Sequence, residues 1–276
     1  VLYLGSRALE TIMGMPMVYV VIVLSLFAAA DSLYGGLSAV AWTDVIQVVF
    51  LVLGGLVTTY IALNTVSDGQ GVIAGFKTIY EAAPERFVMI FDESSAYYDM
   101  LPGIGVLLGG MWVANLYYWG FNQYIIQRTL AAKSLKEAQK GILLAAGLKL
   151  IIPVIVVVPG IAAYVMVNDP EIMARLGVEG LKNLPTLEQA DKAYPWLLQF
   201  LPTGLKGVAF AALAAAIVSS LASMLNSTST IFTMDIYKQY INKNASDKST
   251  VNMGRISAGV ALAIACLIAP FLKGLD

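Results

Sequence analysis

Histidine is absent from the 276 residues, and cysteine occurs once, as Cys266. The first absence removes the commonest general base and the commonest transition-metal ligand. The second excludes a disulfide framework or a cysteine metal site, and Cys266 reads as a small apolar residue within an apolar run. Charge is scarce too: Asp, Glu, Lys and Arg make up 13% of the chain, where a soluble domain carries about 25%. The net charge is −1 with no long basic tract, so nothing points to nucleic acid. What the chain has in abundance is apolar surface, with 58% hydrophobic residues and a mean hydropathy of +0.75. Such a composition is that of an all-α integral membrane protein.

A helix needs about 20 apolar residues to cross the hydrocarbon. Six segments qualify: 17–34, 38–64, 103–130, 140–167, 204–235 and 250–273. The opening VLYLGSRALETIMG (1–14) has the pattern of the tail of a seventh helix, without the basic stretch and cleavage site of a signal peptide. The expectation is a single membrane domain, 1–276, that is an internal segment of a longer protein. Tyr34-Gly35-Gly36 leaves almost no loop, which predicts a tight hairpin between the first two spans. Residues 66–101 carry a short amphipathic piece and then an acidic stretch, and 168–203 resemble them, broken by Pro170, Pro185, Pro195 and Pro202.

Basic residues in short loops set the orientation. Loop 128–140 holds Arg128, Lys133, Lys136 and Lys140 against Glu137 alone, and loop 235–255 holds Lys238, Lys243, Lys248 and Arg255 against two aspartates. Both are expected on the cytoplasmic side. Loop 66–101, with Lys77 and Arg86 against six acids, is expected outside. Asn226 and Asn244 open Asn-X-Ser/Thr triplets, but the first lies within a span and the second on the cytoplasmic side, so neither is expected to carry a glycan.

Polar residues inside the spans carry the functional signal. Lys149, in GILLAAGLKLIIPVIVVVPG, lies about 12 Å in from the cytoplasmic end at 1.5 Å per residue. An ion at the bilayer centre costs about 2.5–3.5 kcal/mol, so such a lysine faces a wet cavity or pairs with an acid on another helix. In GGMWVANLYYWGFNQYIIQR, Asn115 sits among Trp112, Tyr117, Tyr118 and Trp119. Aromatic faces beside an amide suit a pyranose ring; the same pattern also serves aromatic packing and an interfacial belt. Gly109-Gly110 and Gly120 would let this helix break, as transporter helices do near a midplane site. In AFAALAAAIVSSLASMLNSTSTIFTMDIY, Ala216, Ser219 and Ser220 fall at i, i+3 and i+4 on one face. A backbone carbonyl and two hydroxyls are hard oxygen ligands for an alkali cation, although serines in membrane helices also bond back to the preceding turn. Asp44 stands near the start of its span, either as a station for a passing sodium or as a carboxylate favoured by the helix dipole. Asp31 has no role in this reading.

Taken together, GFNQYIIQR and SSLASMLNSTSTIFTMDIY resemble signatures of the sodium:solute symporter family. NLYYWGFNQYIIQRTLAAKS, Lys149 in GLKLIIP and AYPWL are similar to its sodium/glucose cotransporter branch, which includes bacterial sodium/galactose symporters. The resemblance runs the length of the chain. It implies an inverted-repeat fold of five plus five helices, of which this segment holds the end of core helix three through core helix nine. It implies sodium-coupled uptake of a hexose such as galactose or glucose by alternating access across a bacterial inner membrane, with sodium as coupling ion, no cofactor and no enzymatic chemistry. Asn115 and Lys149 then match sugar-binding positions, Tyr118 the inner gate with Trp119 beside it, Ala216, Ser219 and Ser220 half of a sodium site, and Asp44 a carboxylate on the sodium exit route. Core helices one, two and ten would supply the rest. Asp31 departs from the aromatic residue expected there. The rival readings are a symporter for proline or a carboxylate, and a transporter-like sensor.

Overall fold

The computed structural model describes residues 1–95, 98, 103–181 and 184–274, and these are helical or irregular with no strand. In chain order the helices are α1 (Leu2–Met13), α2 (Met17–Ala30), α3 (Gly36–Val66), α4 (Val72–Ala82), α5 (Met111–Leu116), α6 (Gln123–Leu130), α7 (Leu135–Lys149), α8 (Val158–Asn168), α9 (Pro170–Leu181), α10 (Ala193–Leu198), α11 (Thr203–Ile231) and α12 (Asp247–Ile268). π-helical turns at Asp31–Gly35, Val106–Gly110, Tyr117–Phe121, Pro153–Val157 and Phe232–Ile241 interrupt or extend them. Among the described residues, four helical stretches are each long and apolar enough to cross a membrane, Val40–Val66, Leu135–Asn168, Thr203–Ile241 and Asp247–Leu272, and the bent pair Leu2–Met13 with Met17–Leu33 makes a fifth if taken together. The four single stretches correspond to four of the six expected spans.

The chain forms two compact units, Val1–Thr58 with Val178–Asp276, and Thr59–Gly177. In the first, α1 ends at Gly14, whose φ of 66° is the left-handed cap that glycine adopts without strain. Pro16 then opens α2, and the two helices meet at 120°. The expected tail of a seventh helix is helical over Leu2–Met13 and folds back against its successor. Leu2, Leu9, Met17, Val20, Val21 and Leu24 pack with Leu221, Leu225 and Ala258 into the core of this unit. Arg7 Nε pairs with Asp191 Oδ2 at 2.8 Å and ties α1 to the turn before α10. Burial pushes the Tyr194 phenol above its usual range, partly offset by a hydrogen bond with Thr58.

Between α2 and α3 no loop intervenes; the π-helical turn Asp31–Gly35 leads straight into α3. Ser32 meets Asn226, whereas Asp44 meets Ser219 and Gly54 approaches Ala209. The chain therefore runs along α11 toward its C-terminal end in α2 and returns in α3, the reversal that the Tyr34-Gly35-Gly36 spacing predicts.

In the second unit, Arg175 Nη1 pairs with Asp68 Oδ1 at 3.0 Å, and the Arg86 guanidinium stacks 4.2 Å from the centre of the Tyr164 ring. Both contacts join loop 66–101 to the segment around α8 and α9, which puts the two connections at one end, as the alternating topology requires. Part of the acidic stretch (96–97 and 99–102) lies outside the described residues. Gly75 on α4 lies directly against the Leu63 backbone, so a Cβ there would fall on the Leu63 carbonyl. Backbone cannot yield as a side-chain tip does, and overpacking of this kind costs about 1–3 kcal/mol. Gly75→Ala is expected to lower the melting temperature of the purified protein, while Gly160→Ala, with open space around its Cβ, leaves it unchanged or slightly raised; equal melting temperatures would contradict the close packing.

Candidate functional site

The expected span 103–130 is helical but not continuous. The π-helical turn Tyr117–Phe121 ends at Asn122, whose extended backbone (φ −78°, ψ 111°) stops the helix. Asn122 then caps α6, its Oδ1 accepting from Tyr124 N at 3.1 Å. The break falls two residues after Gly120, and the other π-helical turn covers Gly109 and Gly110, so both glycine sites flagged in the sequence coincide with irregular helix. An Asn followed by a helical run is itself a capping signal, and it pinpoints the break better than the glycines do.

Lys149 is the last residue of α7. Beyond it the backbone loosens over 150–152, because Pro153 has no N–H to donate and its ring clashes with the preceding turn. The Lys149 ammonium stands 4.3 Å from the centre of the Trp119 ring. A cation over an indole face gains about 0.5–2 kcal/mol, more as water is withdrawn. Trp119 meets Tyr118 edge-to-face, with centroids 5.2 Å apart and planes at 81°. Trp119 and Lys149 line a cavity of about 740 Å³ together with Ile125, Thr129, Ala145 and Ala146. Glu137, at another part of its wall, is engaged by Lys140 at 2.9 Å. Among the described residues no carboxylate pairs with Lys149.

Asn115 lies elsewhere. Its amide donates to Met111 O at 2.8 Å, and it lines a separate depression with Leu107, Met111 and Trp112. The structure thus brings Lys149 and Trp119 together at one cavity, with Tyr118 against the Trp119 ring, and leaves Asn115 outside that cavity.

The remaining residues fall in the other unit. Ala216, Ser219 and Ser220 lie on α11 as expected, with Ser219 buried. The Ser219 hydroxyl donates to Asp44 Oδ1 on α3 rather than to the preceding turn of its own helix. Two residues singled out separately in the sequence, 175 positions apart, are therefore in direct contact. A carboxylate and neighbouring hydroxyls on a thin, alanine-rich helix form an oxygen-rich patch of the type that hard cations take. Seven residues, or two turns, further along α11, Ser32 Oγ donates to Asn226 Oδ1 at 2.9 Å. Sequence reasoning gave Asn226 no role beyond a sequon.

Helices that break beside a cavity, in an all-helical chain with several helices long enough to cross a membrane, are an architecture that secondary transporters share. The model of the sodium:solute symporter family matches residues 2–273, and the chain belongs to that family. It is 66% identical to a sodium/glucose cotransporter of Vibrio parahaemolyticus over 275 residues, covering 100% of this chain and 51% of that protein. It is 34% identical to the uncharacterized symporter YidK of Escherichia coli K12 (99% of this chain, 46% of the relative) and 31% identical to human sodium/myo-inositol cotransporter 2 (99% and 41%). A solved structure of a Na+-coupled sialic acid symporter, in a substrate-bound outward-open state, superposes with a TM-score of 0.80 at 26% identity, covering 99% of this chain and 54% of that one. The expected fold is borne out, and the chain spans about half the length of the relatives it matches. The named relatives are transporters, not enzymes.

Proposed function

We propose that this chain is an internal segment, a single membrane domain, of a sodium-coupled symporter for a hexose such as galactose or glucose, resident in a bacterial inner membrane. The observation that carries the reading is the Lys149 ammonium held over Trp119 at the wall of a large cavity. An ammonium brings three donors and no acceptor, which matches the lone pairs of sugar hydroxyls, and the aromatic faces of Trp119 and Tyr118 match the apolar faces of a pyranose. The 66% identity to a sodium/glucose cotransporter supports the same substrate class. Tyr118 serves as the inner gate. Asn115 joins the sugar contacts as the helix around it rearranges between states.

Sodium is the coupling ion. The Ala216 carbonyl with Ser219 and Ser220 forms one half of its site, and Asp44, already bonded to Ser219, receives the ion on its way to the cytoplasm. Coupling requires that sodium bind the outward-open state more tightly than the inward-open one and that the sugar favour the same state.

The test is tracer galactose uptake into proteoliposomes holding the complete transporter, with an inward sodium gradient or potassium in its place. Accumulation above equilibrium with sodium alone, competed by glucose and not by proline or lactate, is the expected result. Competition by proline or a carboxylate would reassign the substrate. Binding of galactose with no accumulation would indicate a sensor.

A further inference from the structure

A second cavity, of about 420 Å³, lies in the unit Val1–Thr58 with Val178–Asp276, where the turn after α2 meets the C-terminal part of α11 and the start of α12. Its polar lining includes Ser32, Asn226, Ser229, Thr233, Thr250 and Arg255, and none of the described residues that line it is acidic. None of these residues has a part in the sugar or sodium sites.

The hydrogen bonds in the cavity leave a one-sided remainder. Ser229 Oγ donates to Gly254 O at 2.9 Å, and Thr250 Oγ1 to Ser246 O at 3.0 Å. Ser32 donates to Asn226 Oδ1, which fixes the amide with its Nδ2 turned away. Asn226 Nδ2 is buried and has no partner among the described residues. Thr233 Oγ1 is in the same condition, on a residue only 4% exposed. Native proteins rarely leave buried donors unmade, and each such group calls for a ligand, an ion or water. Arg255 adds up to five N–H donors in a planar fork, with no carboxylate paired to it among the described residues. Gly254 lets α11 and α12 close around this space, since a Cβ there would press to 2.8 Å from Ser229 Oγ.

Uncommitted amide, hydroxyl and guanidinium donors around a cavity whose described lining holds no acid define an acceptor-rich anion as the occupant. Planar guanidinium with amide and hydroxyl donors is the set that recognises phosphate oxygens. We propose that this cavity binds a phosphate group, carried either by an anionic lipid headgroup or as free inorganic phosphate. Its position favours both sources: the cavity opens beside loop 235–255, whose Lys238, Lys243 and Lys248 mark the cytoplasmic face, where anionic lipids give the leaflet a negative potential. The occupant ties the Asp31–Gly35 turn to α11 and α12. Only the assignment of the membrane side rests on the charge of the loops; the donor set does not.

The experiment takes the complete, delipidated protein and compares wild type with Thr233→Val, which removes the hydroxyl and keeps the shape, and with Arg255→Gln at the exposed rim. Native mass spectrometry reads retention of phosphatidylglycerol against phosphatidylcholine, and phosphorus NMR line broadening reads binding of inorganic phosphate. Selective retention of phosphatidylglycerol by wild type, falling at least tenfold in both variants, establishes the lipid headgroup. Broadening of phosphate by wild type and not by the variants, without lipid selectivity, establishes the free anion. Binding of neither probe, or equal binding by wild type and Arg255→Gln, overturns the proposal and leaves water as the occupant. Galactose uptake on the same preparations separates the two readings: sodium-driven uptake with no anion bound overturns this one alone, and anion binding without uptake overturns only the transport reading.

Discussion

Lys149→Ala is expected to weaken galactose binding about ten- to hundredfold, the range set by loss of hydrogen bonds from a charged donor at 1.5–3 kcal/mol. The loss should appear in the apparent sugar affinity while the sodium dependence of the remaining uptake stays as it was. Two companions sharpen the result. Lys149→Arg retains charge but replaces a compact, rotatable ammonium with a larger planar fork, so it should restore only part of the affinity. Trp119→Phe keeps an aromatic face under the Lys149 ammonium, now 4.3 Å from the Trp119 ring centre, and should cost less than Trp119→Ala. Trp119→Leu, which fills the space without a ring face, should lose as much as Trp119→Ala if the indole acts through its face, whereas Leu equal to Phe would make its role simple packing. Unchanged sugar affinity in Lys149→Ala, with uptake intact, would return the lysine to a structural role.

Asp44→Asn and Ser219→Ala are expected to raise the sodium concentration for half-maximal uptake about ten- to hundredfold by the same reckoning of charged contacts. Galactose affinity at saturating sodium should be preserved in both. Asp44→Asn keeps an oxygen that accepts from the Ser219 hydroxyl, so packing survives while the charge is lost. Ser219→Ala removes a ligand and the hydrogen bond together, and it leaves the Asp44 carboxylate without that donor. If the two substitutions act through one ion site, the double variant should be no worse than the more severe single one. Additive losses, or a normal sodium dependence in Asp44→Asn, would detach Asp44 from the ion path.

How much of this was legible in the sequence depends on the kind of signal. Apolar runs are a matter of composition, and the spans at 140–167, 204–235 and 250–273 reappear within residues of their expected bounds. Lys149 was visible because a charge in an apolar span is expensive wherever it sits. Its partner was not, since thirty residues and a helix break separate it from Trp119, and only the folded chain brings them together. The same holds for Asp44 and Ser219. The interruption at Asn122 hid inside an apolar span because neighbouring glycines drew attention while the capping amide of Asn122 itself, just before α6, did not. The 120° bend at Gly14–Pro16 was written in a glycine free to turn left-handed and a proline with fixed φ, yet their pairing with a helix tail concealed it. Nothing in the structure explains Asp31 in the turn after α2.

The most direct test of the account is equilibrium galactose binding to the purified complete transporter, measured in sodium and again in potassium of equal ionic strength. Linkage requires that an ion which drives sugar uptake also raise sugar affinity, and that sugar raise sodium affinity by the same factor. Binding is expected to be markedly tighter in sodium, with the sodium effect moved to higher sodium concentrations in Ser219→Ala and galactose affinity weakened in Lys149→Ala. Identical galactose affinity in sodium and potassium would contradict it.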